Sequence, residues 1–393
     1  MKLMKFEMEG LPNFNNTLCI DFVARQRVAS DDAEQLYNIF SNIYVKQVLS
    51  FIGINASGKT TILKTISFVI SLLNNESLNN ITSKEILDDL EEKQRVALTS
   101  YFYHENSVYK LMTHIEKKVN PVDGNSELVI ADEVMWSKGI YRVKTKKSIY
   151  DFRDDDLNIR RNQNEKFLPN DVSIIIALNK KSNTKFSMYD MSQLTDYNLL
   201  NVLGNYPKEI LSFLDPSIEY LYCRQDGKET DIKLKFYEKD EVTLNHPAAL
   251  NRYLSSGTIK GLSVFMGAIF TFIKSGYLVV DELENHFNKE IVSTLIRFFL
   301  DKRVNKRGST LIFSTHYSEL LDQFDRNDSI YIVKNKGGIY AVNLADILKR
   351  NDIKKSEIYD SDFLGETVPA YNSYLSLKKV LMKLNDFKVE GDF

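Results

Sequence analysis

The stretch Phe51–Ile66, FIGINASGKTTILKTI, contains G-x-x-x-x-G-K-T, and no other feature of the 393-residue chain constrains its fold as tightly. Such a loop binds phosphate only where backbone N–H groups converge at a helix N-terminus. It must be entered from a strand and left by a helix. The residues supply both. VKQVLSFIG is an apolar strand, and TTILKTISFVISLL carries Ile62, Leu63, Ile66, Val69, Ile70 and Leu73 at helical spacing. Gly53 and Gly58 permit the tight path, Lys59 can reach the β- and γ-phosphates, and Thr60 can ligate Mg²⁺. The expectation is an α/β P-loop nucleotide-binding fold.

Three distant stretches carry matching chemistry. In YLVVDELE, four apolar residues make a buried strand, and Asp281 and Glu282 follow at the edge where open α/β sheets bind ligands. Asp281 can hold Mg²⁺, and Glu282 can orient and deprotonate an attacking water. Acidic residues favour strand ends generally, so the pair alone decides nothing. In LIFSTHYSELL an apolar strand ends at His316, one of only five histidines, placed where it could touch a γ-phosphate. In YLSSGTIKG, Ser255, Ser256 and Gly257 precede a long apolar helix. A serine hydroxyl and glycine N–H groups at a helix N-terminus make an anion site, and the same serines also suit a simple N-cap.

Composition excludes some classes. Hydrophobic residues are 43% and charged residues 26%, as in ordinary soluble domains. Lys+Arg 51 against Asp+Glu 53 leaves a net charge of −2, with no global pull towards nucleic acid or anionic membrane. Cys19 and Cys223 lie outside any C-x-x-C, so two buried thiols in a reducing cytoplasm are expected. The run GLSVFMGAIFTFIKSGYLVV is broken by Lys274, Ser275 and Gly276 and reads as helix then strand, not a membrane span.

The remaining chain reads as an elaboration of one core. Residues 1–80 form its N-terminal half, with strands near Leu3–Glu9 and Leu18–Val23. Residues 81–215 form an inserted β-rich and helical region, 216–345 the C-terminal half, and 346–393 a tail with a terminal helix. Within the insertion, RVALTSYFYHENSVYKLMTHIEKKV reads as a hairpin around ENS, and MWSKGIYRVKTKKSIYDFRDDD as further short strands. Hairpins are also expected around Asp226-Gly227 and Gly337-Gly338.

Residues Leu254–Thr258, L-S-S-G-T, resemble the ABC ATPase signature L-S-G-G-Q. The order of phosphate loop, signature, Asp-Glu and histidine is that of ABC-type ATPases, whereas kinases, Ras-like GTPases and helicases lack the signature. Within that group, GINASGKTT resembles the G-x-N-A-S-G-K-S loop of the OLD/RloA-like ATPases, relatives of SMC and RecF proteins. L-S-S-G-T and DELENHF are similar to that branch. The resemblance covers residues 1–75 and 250–345.

The resemblance implies an ABC/SMC-type head: a mixed β-sheet core, an added β-rich lobe and a helical signature lobe. It implies ATP and Mg²⁺ held by Gly53, Asn55, Ala56, Ser57, Gly58, Lys59, Thr60, Thr61 and Asp281, with Glu282, His316 and Lys59 acting in catalysis. It implies a homodimer or higher homo-oligomer, in which Ser255, Ser256 and Gly257 of one copy close on the ATP of another. It further implies a cytoplasmic sensor or switch in bacterial antiviral defence. OLD proteins often carry a C-terminal Toprim nuclease; the residues after His316 are too few for such a domain, so a separate effector, a Toprim or other nuclease, is expected. The Q-loop glutamine has no clear counterpart, with Gln94 the nearest candidate.

The alternative is a RecF- or SMC-like clamp on DNA, using the basic stretches YRVKTKK, with Lys144, Lys146 and Lys147, and DKRVNKR. Solvated charged faces explain such stretches as well. A transporter subunit is disfavoured by the N-A-S-G-K loop, the variant signature and the large insertion, so no membrane partner is expected.

Overall fold

A computed structural model describes residues 1–92, 94–119, 126–162, 168–192, 204–226, 229–368 and 371–386. Gly227 of the expected Asp226-Gly227 turn, and residues 193–203 of the stretch read as largely helical, lie outside the described residues.

Along the chain come strands β1 (Lys2–Glu9), β2 (Leu18–Asp21), β3 (Leu36–Phe40), β4 (Ile43–Lys46) and β5 (Val48–Ile52), then helix α1 (Lys59–Leu73). Next are β6 (Arg95–His104), β7 (Ser107–Val119), β8 (Ser126–Gly139), β9 (Leu157–Arg160), α2 (Ile176–Ser182) and β10 (Met188–Asp190). A third group comprises β11 (Gly204–Asn205), α3 (Lys208–Leu214), β12 (Ile218–Asp226), β13 (Glu229–Phe236) and β14 (Val242–Leu244). The last comprises α4 (Ser256–Lys274), β15 (Tyr277–Val280), α5 (Lys289–Leu300), β16 (Thr310–Thr315), β17 (Ile330–Asn335), β18 (Ile339–Asn343), α6 (Leu344–Ile347), α7 (Lys355–Asp360) and α8 (Tyr371–Asp386).

The core sheet has the order β10-β15-β16-β5-β17-β18. Its strands are parallel except β18, which forms a hairpin with β17. Parallel strands covered on both faces read as continuous apolar runs, as VLSFI, YLVV and TLIFST do. Alternate residues then serve opposite layers. Leu49, Phe51, Val279, Ile312 and Tyr331 join α1 on one side. Val48, Ile52, Leu278, Val280, Leu311 and Phe313 join α4 and α5 on the other.

A second sheet, β2-β1-β6-β7-β8-β9, closes over α1. This explains why α1 is buried well beyond one stripe: Phe6, Phe102, Leu111 and Ile115 of that sheet share its hydrophobic cluster. The hairpin around ENS forms as expected, through β6 and β7. The sheet also joins strands from either side of the expected boundary at residue 80. Moreover β10, within residues 81–215, pairs with β15 in the core sheet. That segment is therefore built into both sheets rather than hung beside them.

The short strands expected over residues 135–156 are replaced by one 14-residue strand, β8, followed by three single 3₁₀ turns. Side chains hold this irregular stretch. Lys138 Nζ donates to the Ser148 carbonyl at 2.7 Å and to that of Asp151, and Arg142 pairs with Asp156. Cys223 is buried, but Cys19 is exposed on β2, contrary to expectation; both are free thiols.

A third sheet, β11-β12-β13-β14, packs with α3 against one side of α4. Ile259, Leu262 and Met266 of α4 enter that cluster, while Val264, Phe265 and Ala268 face the core sheet. Among the described residues, α4 is the one helix long and apolar enough to cross a membrane, and this double packing buries most of it. The hairpin around Gly337-Gly338 forms as β17–β18.

Candidate active site

The phosphate loop turns from β5 into α1 through a backbone that two residues must bend left-handed. Ala56 has φ 61° and Gly58 has φ 97°. At Gly58 a Cβ would also lie 2.6 Å from the Ile339 side chain, so only glycine fits both the angle and the space. A Cβ on Gly53 would fall 2.4 Å from the Val333 carbonyl oxygen. The β17–β18 hairpin thus presses the loop from behind. It is tied on by Asn335 Nδ2, which donates to the Ala56 carbonyl at 3.2 Å.

Strand order places the chemistry. The strand ending in His316, β16, lies between the phosphate-loop strand β5 and the acidic strand β15. His316 must therefore emerge between Lys59 and Glu282. Its Nδ1 lies 3.3 Å from Lys59 Nζ, and its Nε2 3.4 Å from Glu282 Oε1. Lys59 Nζ also donates to the carbonyls of Gly53 at 2.9 Å and Ile54 at 3.1 Å. Burial pulls the Lys59 ammonium below the usual lysine range, and Asp281, Glu282 and Glu284 pull against it.

Asp281 is buried and accepts from Thr60 Oγ1 at 2.5 Å and from the Ser314 hydroxyl. Ser314 Oγ in turn accepts the Glu282 N–H at 2.8 Å. One serine thereby fixes both acidic residues relative to β16. Glu282 itself has φ 44°, an uncommon left-handed conformation for a residue with a side chain.

These groups open onto a cleft of about 880 Å³. Asn55, Ala56, Ser57, Gly58, Lys59, Thr60 and Thr61 line it together with Glu282 and His316. The rest of the lining lies outside the four motifs: Asn13 and Phe14 from the β1–β2 connection, and Asn335, Gly337, Gly338 and Ile339 from the β17–β18 hairpin. No local pattern marks Phe14 for this place; a bridge to Ile339, more than three hundred residues away, puts it there. Sequence reasoning missed Glu284. It is buried, and its Oε1 accepts the His316 N–H at 2.6 Å. The Glu-x-Glu spacing in DELE was its only local signal.

The residues fit a nucleotide with Mg²⁺. Among the described residues, the buried Ser57 hydroxyl of the loop has no hydrogen-bond partner. The Thr60–Asp281 pair presents a hydroxyl and a carboxylate, hard oxygen donors of the kind Mg²⁺ takes together with phosphate oxygens.

Other expected residues lie elsewhere. Ser255, Ser256 and Gly257 are not among the cleft lining. Ser255 caps α4, accepting from the Thr258 N–H at 3.0 Å, and Ser256 Oγ lies 3.2 Å from His286 Nδ1. Gln94 does not reach the cleft; it is exposed, and its side chain meets Glu91 at 3.3 Å. The basic stretches are partly committed within the chain. Lys146 Nζ donates to the carbonyls of Ala24 at 2.5 Å and Gln26 at 2.6 Å, and Arg303 pairs with Asp301 at 2.7 Å.

Comparison with known proteins adds one family. Residues 48–322, a span that includes all four motifs, match the family described as "AAA domain, putative AbiEii toxin, Type IV TA system". A search of curated proteins finds no match.

Proposed function

The chain belongs to this family of AAA-type P-loop ATPases, and on that premise we propose that it is a Mg²⁺-dependent ATPase whose copies close around ATP. The observation that carries the reading is the meeting of Lys59, Thr60, Asp281, Glu282 and His316 at one sheet edge.

In this reading the loop N–H groups and Lys59 bind the β- and γ-phosphates. Thr60 and Asp281 would hold Mg²⁺, which when bound neutralises phosphate charge. Glu282 orients a water beside the γ-phosphate and takes its proton as oxygen attacks phosphorus, while the bond from phosphorus to the β–γ bridging oxygen breaks and ADP leaves with that oxygen. His316, between Glu282 and Lys59, donates a hydrogen bond to the transferred group. The apolar and amide wall of Phe14, Ile339 and Asn13 takes the base end.

Ser255–Gly257 stand outside this cleft at the start of α4, on a surface another molecule can meet. We assign them to the γ-phosphate of a second copy, in the manner of an ABC/SMC-type head. The OLD/RloA-like motifs and the toxin–antitoxin description of the family both favour a defence role. There the ATP-bound dimer acts as a switch on a separate effector, a nuclease being the expected class. Sedimentation and phosphate release test the reading together. Glu282→Gln should hold ATP and sediment as an ATP-dependent dimer with little turnover. An assembly state indifferent to ATP counts against the switch, and tight salt-dependent DNA binding would point to the clamp instead.

A further inference from the structure

One buried lysine outside the cleft touches the catalytic carboxylate's backbone. Lys260 lies one helical turn after Ser256, so both project from the same face of α4. That face meets the loop that follows β15. Lys260 Nζ donates to the Glu282 carbonyl at 2.8 Å and to the Asn285 carbonyl at 3.0 Å. Its Nζ also sits 5.3 Å from the centre of the Phe287 ring. A turn earlier, Ser256 Oγ meets His286, and a Cβ on Gly257 would fall 2.4 Å from the His286 carbonyl oxygen.

The loop so gripped is the strained part of the site. Glu282 and His286 both have positive φ, at 44° and 67°. Such conformations cost free energy and persist only where surrounding contacts hold them. At Glu282 the carbonyl is held by Lys260, the N–H by Ser314, and the carboxylate faces His316. Burial lowers the Lys260 ammonium to about 8, against the pull of Glu284, Glu282 and Asp281, so it remains largely charged at neutral pH.

Resting on the ATPase reading above, we infer that Lys260 is a positioning residue: from the signature helix it fixes the left-handed backbone of Glu282 and so aims that carboxylate at the attacking water. It touches no reacting atom. Its role links the helix that carries Ser256 and Gly257 to the residue that removes the proton.

Steady-state phosphate release tests this in the full chain, with Lys260→Met, Lys260→Arg, Glu282→Gln and the Lys260→Met/Glu282→Gln pair. Lys260→Met should lower kcat by about tenfold or more, the value of one charge-assisted hydrogen bond, with KM for ATP nearly unchanged. Lys260→Arg should recover most of the loss. The double variant should turn over no more slowly than Glu282→Gln alone, because Lys260 acts only through Glu282. Wild-type turnover with an unaltered kcat in Lys260→Met overturns the inference and leaves the ATPase reading intact. Additive losses in the double variant overturn it equally. Should Lys260→Met lose its cooperative thermal transition, Lys260→Arg decides: wild-type kcat supports the role, and a kcat that falls together with ATP affinity overturns it. A wild type that releases no phosphate removes both readings.

Discussion

The cleft and the signature end of α4 are built from similar parts and end up in opposite situations. Each is a helix N-terminus with small residues and hydroxyls. At the cleft, β5, β15 and β16 end side by side, and their side chains satisfy one another: Lys59 on Gly53 and His316, Thr60 on Asp281, His316 on Glu282. At α4, Ser255 turns back to cap its own helix and Ser256 meets His286, and among the described residues neither serine lines the cleft. An anion site needs a concave surround as well as a helix end. The cleft gets its surround from this chain. The signature end has one side only, and Lys260 roots that side to the loop carrying Glu282.

Experiments can break or sharpen this contrast. The largest effect is expected at Glu282. Glu282→Gln keeps the fold of the cleft but removes the proton acceptor, and kcat should fall about 10³-fold in phosphate-release assays, within the range for a general base. Lys59→Ala removes the cation facing the phosphates, and turnover should fall by about 10²-fold with ATP binding weakened in calorimetry. Gly257→Ala places a Cβ against the His286 carbonyl. It should lower turnover by about 10²-fold while leaving ATP binding to the isolated chain near normal. Mixing Lys59→Ala with Gly257→Ala protein should then return part of the activity, since one composite site regains both halves. No recovery would mean that the two regions do not meet across copies. His316→Ala should cost about tenfold in kcat, one hydrogen bond's worth. The smallest effect is expected for Lys144→Ala with Lys147→Ala, two exposed lysines outside the cleft lining. Unfolding stability should change by less than about 0.5 kcal/mol.

Much of this was legible residue by residue. The phosphate loop, the acidic strand end, the histidine strand and the start of α4 each lie within a dozen neighbouring residues, and local chemistry suffices to mark them. The hairpin at Glu105-Asn106 and that at Gly337-Gly338 were equally local. Other relations are not local. Residues 81–215 look like an insertion because their local patterns change, yet β6 finds its partner in β1 and β10 finds its partner in β15. Gln94 has a suitable side chain at a plausible distance along the chain, but it ends up exposed beside Glu91. Phe14 and Ile339 line the cleft, though neither lies in a motif.

The sequence by itself determined which chemical groups exist and which local element presents each one, because helix starts, strand ends and tight glycine turns are governed by a few adjacent residues. Tertiary structure alone decided their company. Strand order put His316 between Lys59 and Glu282, the β17–β18 hairpin forced glycine at position 58, and the packing of α4 set Lys260 beneath Glu282. Those relations join residues tens to hundreds of positions apart. They follow from how apolar faces share a common core, which no short window of sequence records.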